Sequence, residues 1–153
     1  MAMEEKGVPV VIQLSSLISY DGIADDPLQM LTTGTWTPGE KENILDYVES
    51  QEDQETGEIM EARTKLIIGK DQMTMNREGD TASTMMFKKN RRFETVYRTP
   101  FGEMPMSVFT RDIRCDVNDI GGTVYLKYEL SLQGNYASTN EMHLRYAANQ
   151  GRQ

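Results

Sequence analysis

The alternation of apolar and polar side chains is the feature of this sequence that most constrains its fold. It runs through most of the chain after residue 59 and is most regular in the series Val124, Leu126, Tyr128, Leu130 and Leu132. Successive side chains of a β-strand point to opposite faces of the sheet, so a period of two is typical of strands with one face buried and the other in water. The pattern predicts an all-β fold.

Short turns separate the predicted strands, and no connection is long enough to hold a helix. Asn90, residues 118–122 and residues 134–135 mark three of the reversals. About eight to ten strands joined in this way form an antiparallel meander. Closure into a barrel removes the exposed edges that an open sheet would carry. We therefore predict a single antiparallel meander β-barrel domain over residues 1–153.

Two β-bulges are expected. The apolar residues predicted to point inward have even numbers up to Val108 and odd numbers from Phe109 onward. This change of parity predicts a bulge near Thr110 or Arg111. Gly34 interrupts the predicted strand around it and is interpreted as a second bulge.

The segment from residue 40 to residue 50 is open to two interpretations. Its composition is compatible with a short helix. A strand through residues 44–49 is favoured, because the turn that follows then closes a hairpin into Ile59.

Charge and composition narrow the partners and the compartment. A net charge of -8 and an isoelectric point of about 4.7 disfavour nucleic acid, because affinity for phosphates comes largely from lysine and arginine. The basic cluster KKNRR at residues 88–92 is interpreted as a solvated hairpin tip. No apolar run approaches the roughly 20 residues that cross a bilayer, so no membrane partner is expected. The lone Cys115 excludes an internal disulfide and the N-terminal residues lack the pattern of a signal peptide, so a cytoplasmic protein is expected.

Short motifs distributed along the chain form a set. They are TTG at 32–34, Tyr47 with Glu49, Thr56 with Gly57, Thr64, REG at 77–79, MF at 86–87, YRTPFG at 97–102, Tyr128 and Asn140. In this order the set resembles the YwiB-like family of uncharacterised bacterial proteins. The resemblance implies a lipocalin-like (calycin) β-barrel and no established activity. The chain departs from the family pattern at residues 37–43 (TPGEKEN), where a tight Asp-Gly hairpin is usual, so a different barrel mouth is expected there.

Residue types that commonly carry catalysis or bind metals are scarce. Nucleophilic catalysis of the serine or cysteine kind needs a histidine, and the only one, His143, falls on the outward parity of its strand. Cys115 falls on the inward parity, where a thiol acts as a small apolar group. One histidine and one cysteine do not make an ordinary zinc site. The acidic stretch YDGIADDP at residues 20–27 lacks the spacing of a calcium loop and is interpreted as a polar turn, so no cofactor is expected.

Polar residues on the inward parity are the candidate ligand-binding residues. They continue runs of apolar neighbours and are Thr64, Arg77, Tyr97, Thr99 and Tyr128. An unpaired arginine inside a protein is costly, so Arg77 must meet a carboxylate, hydroxyls, water or an anionic ligand. In the structural alternative, Arg77 leaves the barrel end just before the EGD turn and reaches water.

The leading hypothesis is a barrel whose interior binds a small ligand that is largely apolar, or amphipathic and anionic, with Arg77 as the anchor. Tyr47 and Trp36 complete the set of ligand candidates.

Two other hypotheses stay open. The first is a filled barrel that docks to a protein partner, or to itself as a homodimer, through an edge strand around residues 28–36 with Trp36 as an aromatic anchor. The second is an enzyme that uses Tyr47, Glu49 or Tyr97 near the barrel mouth. No catalytic motif supports the second, and no enzymatic activity is expected.

Overall fold

The computed structural model describes residues 7–20, 23–24, 27–52, 56–79 and 82–149, and these residues form strands and turns without a helix. They accordingly contain no helix that is long and apolar enough to span a membrane. The strands are β1 (Val8–Tyr20), β2 (Ile23–Ala24), β3 (Leu28–Thr37), β4 (Asn43–Glu52), β5 (Ile59–Gly69), β6 (Gln72–Gly79), β7 (Ser83–Lys88), β8 (Arg92–Thr99), β9 (Gly102–Val117), β10 (Gly121–Leu132) and β11 (Asn135–Ala148). The preference for a strand in the segment after residue 40 is confirmed by β4.

The strands form one antiparallel sheet in the order β7-β6-β5-β4-β3-β1-β11-β10-β9-β8, with the short β2 paired to the end of β1. If the short β2 is set aside, strands that are neighbours in the sheet are also consecutive along the chain, with the single exception of β1 and β11. This connectivity is a meander. The sheet curls until its end strands, β7 and β8, meet at a bridge between Ala82 and Arg98. Each of these two residues donates its backbone N–H to the other's carbonyl at 2.9 Å. The barrel is thus nearly closed, and the predicted all-β antiparallel barrel is confirmed.

One half of the barrel is solidly packed with apolar side chains. We call it the packed half, and it adjoins the connections at residues 38–42, 70–71, 89–91 and 118–120. At its centre Trp36 stacks on Tyr146 with ring centroids 4.5 Å apart. The indole N–H donates to Asp119 at 3.2 Å and the phenol of Tyr146 donates to the carbonyl of Asn118 at 2.6 Å, so both polar ends are satisfied. Trp36 is fully buried and is not the exposed anchor expected from the sequence.

The pairing of β3 with β4 covers only part of either strand. Gly34–Thr37 pairs with residues 44–47, whereas residues 28–33 of β3 pair only with β1 and residues 48–52 of β4 pair only with β5. Beyond Gly34 the two strands therefore separate. We call the opening between residues 28–33 and 48–52 the β3–β4 cleft.

Gly34 lies at the vertex of this cleft and not at a bulge, because the register with β1 passes through it without a shift and the pairing with β4 stays in register up to it. A Cβ at this position would collide with the carbonyl oxygen of Asp46 and lie 3.1 Å from the Cβ of Tyr47. The bulge prediction is wrong here, since a glycine in a strand also marks a close approach of two backbones, which the sequence cannot distinguish.

The second expected bulge is present. The register of β9 against β10 shifts at Arg111, which has no partner on β10. The expected position of Phe109 is nevertheless wrong, because the parity changes after Thr110. Thr110 is fully buried, whereas Phe109 stays on the outer face with the guanidinium carbons of Arg92 and Arg111 at 5.8 and 5.2 Å from its ring centroid. Arginine stacking gives an outward phenylalanine a packed environment.

The turns follow the sequence signals. Asn90 has a φ of 64° at an exposed hairpin tip in the basic cluster. The side-chain carbonyl of Asn118 accepts from the backbone N–H groups of Ile120 and Gly121, which closes the turn between β9 and β10. The connection at residues 38–42 lies beside the packed half, so the departure from the family pattern there does not shape the cavity described next.

Candidate ligand-binding cavity

The half of the barrel opposite the packed half contains a cavity of about 500 Å³. Every strand except β2 and β5 contributes to its lining. This volume is within the range of small-molecule sites. Two larger hollows, of about 1330 and 1030 Å³, are open grooves on the outer faces of the sheet. The interior cavity is therefore the better candidate for enclosing a ligand.

Flexible apolar side chains form most of the cavity wall. Five of the 11 methionines line it, and they are Met30, Met75, Met85, Met106 and Met142. Leucine and isoleucine side chains add to the apolar wall, and they are Leu14, Leu17, Ile18, Leu28, Leu130 and Leu132. Unbranched methionine side chains adapt to ligands of different shape. The methionine content of the sequence, uninformative by itself, is thus concentrated where a ligand would lie.

An ion pair provides the charged part of the lining. Register aligns Tyr47, Thr64 and Arg77 across β4, β5 and β6, and Glu49 follows Tyr47 on the same face of β4. The Nη2 of Arg77 contacts the Oε2 of Glu49 at 2.7 Å, and the hydroxyl of Thr64 donates to the same oxygen at 2.9 Å. The Arg77 side chain is 32% exposed and that of Glu49 is 14% exposed. Arg77 is therefore half-buried, and its partner is a carboxylate.

Arg77 is only partly satisfied by this contact. Its Nε atom is buried without a hydrogen-bond partner. A guanidinium carries five N–H donors, and the Glu49 contact uses one of them. The arginine thus retains donors for a further acceptor.

Two tyrosine hydroxyls lie near the ion pair. Burial raises the pKa of Tyr47 and of Tyr128, the charge of Glu49 raises both further, and the charge of Arg77 opposes the shift. The ring of Tyr128 packs on Phe87 with centroids 4.9 Å apart. Among the described residues neither phenol has a hydrogen-bond partner. Both hydroxyls are therefore neutral donors at neutral pH that are free to bind another group.

The structure brings together most of the ligand candidates derived from the sequence. The cavity is lined by Arg77, Tyr47, Tyr97 and Tyr128. Thr64 donates a hydrogen bond to the Glu49 carboxylate of the ion pair.

Thr99 and Trp36 do not belong to the cavity. The Thr99 hydroxyl accepts from the N–H of Phe101 and donates to the carbonyl of Gly102, both at 3.1 Å, so it is used in the turn between β8 and β9. Trp36 lies in the packed half.

Sequence reasoning missed Glu49 as the partner of Arg77. The signal was present, because the alternation that places Leu45 and Tyr47 inward also places Glu49 inward.

The remaining reactive side chains lie elsewhere. His143 is exposed on the outer face, with its ring 4.8 Å from that of Tyr125. Cys115 is a half-buried free thiol of β9, and burial raises its pKa to about 11, with the charge of Asp71 as a smaller cause. No three His, Cys, Asp or Glu side chains in the described ranges are grouped so that they could hold a metal ion. The acidic residues 21, 25 and 26 lie outside those ranges.

Comparisons with known proteins agree with this fold. The crystal structure of ywiB protein from Bacillus subtilis superposes with a TM-score of 0.80 at 19% identity, over 95% of each chain. A structural-genomics protein of unknown function from Bacteroides ovatus matches at 12% identity over 94% of this chain and 41% of its own chain, with a TM-score of only 0.37. No curated protein matches. The model of the family described as "Domain of unknown function (DUF1934)" matches residues 12–144. The YwiB-like resemblance is therefore confirmed, and the chain belongs to the DUF1934 family.

Proposed function

We propose that this protein is a lipocalin-like, cytoplasmic barrel that binds a small, largely apolar ligand with one polar or anionic end. The observation that carries the proposal is the cavity of about 500 Å³, whose methionine-rich wall contains a polar group formed by Arg77, Glu49, Tyr47 and Tyr128. Ligand pockets generally combine apolar walls with a few polar groups that fix orientation.

The depth of these groups favours one orientation of the ligand. Tyr128 follows the packed Leu126 on β10, while Leu130 and Leu132 continue towards the end of the strand. The polar end would lie deep, beside Tyr128 and Arg77, and the apolar body would extend towards the leucines. Glu49 already neutralises part of the Arg77 charge. An anionic ligand would therefore be stabilised mainly by hydrogen bonds from Arg77 and less by net electrostatic attraction.

Two fluorescent probes that share one ring skeleton test the proposal. They are 8-anilinonaphthalene-1-sulfonate, an anion, and N-phenyl-1-naphthylamine, which lacks the sulfonate. We expect both to bind the wild type with one site per chain. Arg77→Met should weaken sulfonate binding about 5- to 20-fold, because a hydrogen bond to a charged group contributes roughly 1–2 kcal/mol here, and should change binding of the neutral probe less than about twofold.

Arg63→Met is the matched control, since Arg63 is exposed on the outer face of β5. It should leave the affinity for both probes unchanged. Failure of the wild type to bind either probe at a single site would refute the proposed function. Equal loss of the sulfonate probe in both arginine variants would refute the role of Arg77 and indicate surface binding.

The alternative function is protein interaction through a strand edge. The burial of Trp36 removes its expected anchor, and the unpaired edge at residues 28–33 of β3 is what supports it. Light scattering with size-exclusion chromatography on the wild type and on Leu31→Lys tests the version in which the edge joins two copies. A dimer that Leu31→Lys dissociates would support it, and a monomer in both cases would remove it. The absence of catalytic activity stays a prediction.

A further inference from the structure

We propose that the β3–β4 cleft is the entrance through which the ligand reaches the cavity. This inference rests on the proposed function. It concerns the route of the ligand and not its place of binding, so the two can be tested separately.

The cleft opens where the cavity lies. Backbone pairing between β3 and β4 ends at Gly34 and Tyr47. Residues 28–30 on one lip, and Glu49 and Ser50 on the other, line the cavity. A sheet without hydrogen bonds between two neighbouring strands offers less resistance to separation than one with a continuous ladder. The incomplete ladder therefore gives direct access to the cavity wall.

Three exposed apolar side chains lie on the lips of the cleft. Leu28 and Leu31 of β3 are 62% and 69% exposed, and Val48 of β4 is 42% exposed. Exposed apolar side chains beside an opening favour contact with an apolar molecule before it enters. The chemistry of the lips thus agrees with a largely apolar ligand.

The other discontinuity in the barrel, between β7 and β8, is tied at both ends. Ala82 and Arg98 form a double backbone bridge at one end. At the other end, residues 89–91 connect the two strands in a tight turn, and the N–H of Arg91 donates to the carbonyl of Lys88 at 3.0 Å. Among the described residues, the β3–β4 cleft is joined by backbone pairing only at its vertex. The strands therefore separate more readily at the β3–β4 cleft than between β7 and β8.

A disulfide across the cleft tests the inference. Counted outward from the Gly34–Tyr47 pair, Leu31 and Ser50 are the third residues on the two lips, so a disulfide between Leu31→Cys and Ser50→Cys would join the lips. The matched control joins Gln13→Cys to Leu31→Cys, which are already opposite each other in the continuous β1–β3 ladder. Both pairs are made in a Cys115→Ala background.

The readout is stopped-flow fluorescence with 8-anilinonaphthalene-1-sulfonate. We expect the cleft disulfide to slow association and dissociation together by at least about tenfold and to leave the equilibrium affinity within about threefold, because a closed entrance affects both directions equally. Reduction should restore both rates, and the control disulfide should change neither.

Unchanged rates with the cleft disulfide formed would overturn the inference and leave the proposed function standing. Absence of binding to the wild type would instead refute the proposed function. If the Leu31–Ser50 pair does not oxidise, Thr33→Cys with Val48→Cys, one step nearer the vertex, is expected to give the same slowing, and its failure to slow either rate would equally overturn the inference.

Discussion

The ion pair between Arg77 and Glu49 is a specific target for measurement, because Glu49→Gln removes its charge with little change of shape. Thr64 can still donate to the carbonyl oxygen of the glutamine, so the substitution isolates the charge. Two unit charges about 4 Å apart interact by about 4 kcal/mol at an effective dielectric constant near 20. Desolvation of both groups opposes this attraction, and the 32% exposure of Arg77 weakens it. We expect a net coupling of about 2 kcal/mol, typical of hydrogen bonds to charged groups.

A double-mutant cycle measures this coupling. It consists of the wild type, Glu49→Gln, Arg77→Met and the double variant, each unfolded in urea with the fluorescence of the single tryptophan, Trp36, as the signal. Trp36 lies in the packed half, away from the substitutions, so it reports global unfolding. A loss of about 2 kcal/mol in a chain of this size lowers the melting temperature by about 4–8 °C.

The surface pair Arg98–Glu103 provides the matched control. Its Nε and Oε2 atoms are 3.0 Å apart, but the two side chains are 66% and 63% exposed. The cycle built from Arg98→Met and Glu103→Gln should give less than about 1 kcal/mol, as exposed pairs do. A coupling for Arg77–Glu49 no larger than that of the control would refute the reasoning that partial burial strengthens this pair.

Three further predictions concern other parts of the barrel. Gly34→Ala should lower the free energy of unfolding in urea by more than about 2 kcal/mol, because the added methyl group collides with the backbone of β4. In the control Gly69→Ala the new Cβ meets only ordinary contacts of 3.4 Å or more, so the loss should be less than about 1 kcal/mol. Equal losses would contradict the role of Gly34 at the vertex. At pH about 8, Cys115 should react with a disulfide reagent roughly 100-fold more slowly in the folded protein than in urea. The reason is that burial raises the pKa of the thiol from 9.0 to about 11 and so lowers the fraction of thiolate. Comparable rates would show that the thiol is accessible. The hydrogen bond from Tyr125 to Glu141 raises the pKa of Tyr125 to about 12, so the folded state retains a proton that the unfolded chain releases near pH 10. The resulting stability is intact below pH about 10 and is lost as the pH rises towards 12, and Tyr125→Phe should flatten this part of the urea-unfolding profile; identical profiles would contradict the assignment.

The strands and the faces of their side chains were predictable because both depend on local geometry. The period of two placed Thr64, Arg77, Tyr97 and Tyr128 inward, and all four are buried or half-buried in the barrel. The same rule applied to Leu45 and Tyr47 would also have identified Glu49 as an inward carboxylate. Errors arose where the rule is interrupted, at Gly34 and after Thr110.

The division of the interior into a packed half and a cavity was decided only by the tertiary structure. Trp36 and Met30 both lie on β3, yet one is stacked against Tyr146 and the other lines the cavity. Parity specifies that a side chain points inward, but the side chains it meets depend on strands distant in sequence and on where neighbouring strands separate. By itself the sequence determined an antiparallel barrel and most of the polar residues inside it. The cavity, the pairing of Arg77 with Glu49 and the β3–β4 cleft follow from how the curled sheet brings those residues together, because non-local distances are set by closure and not by local pattern.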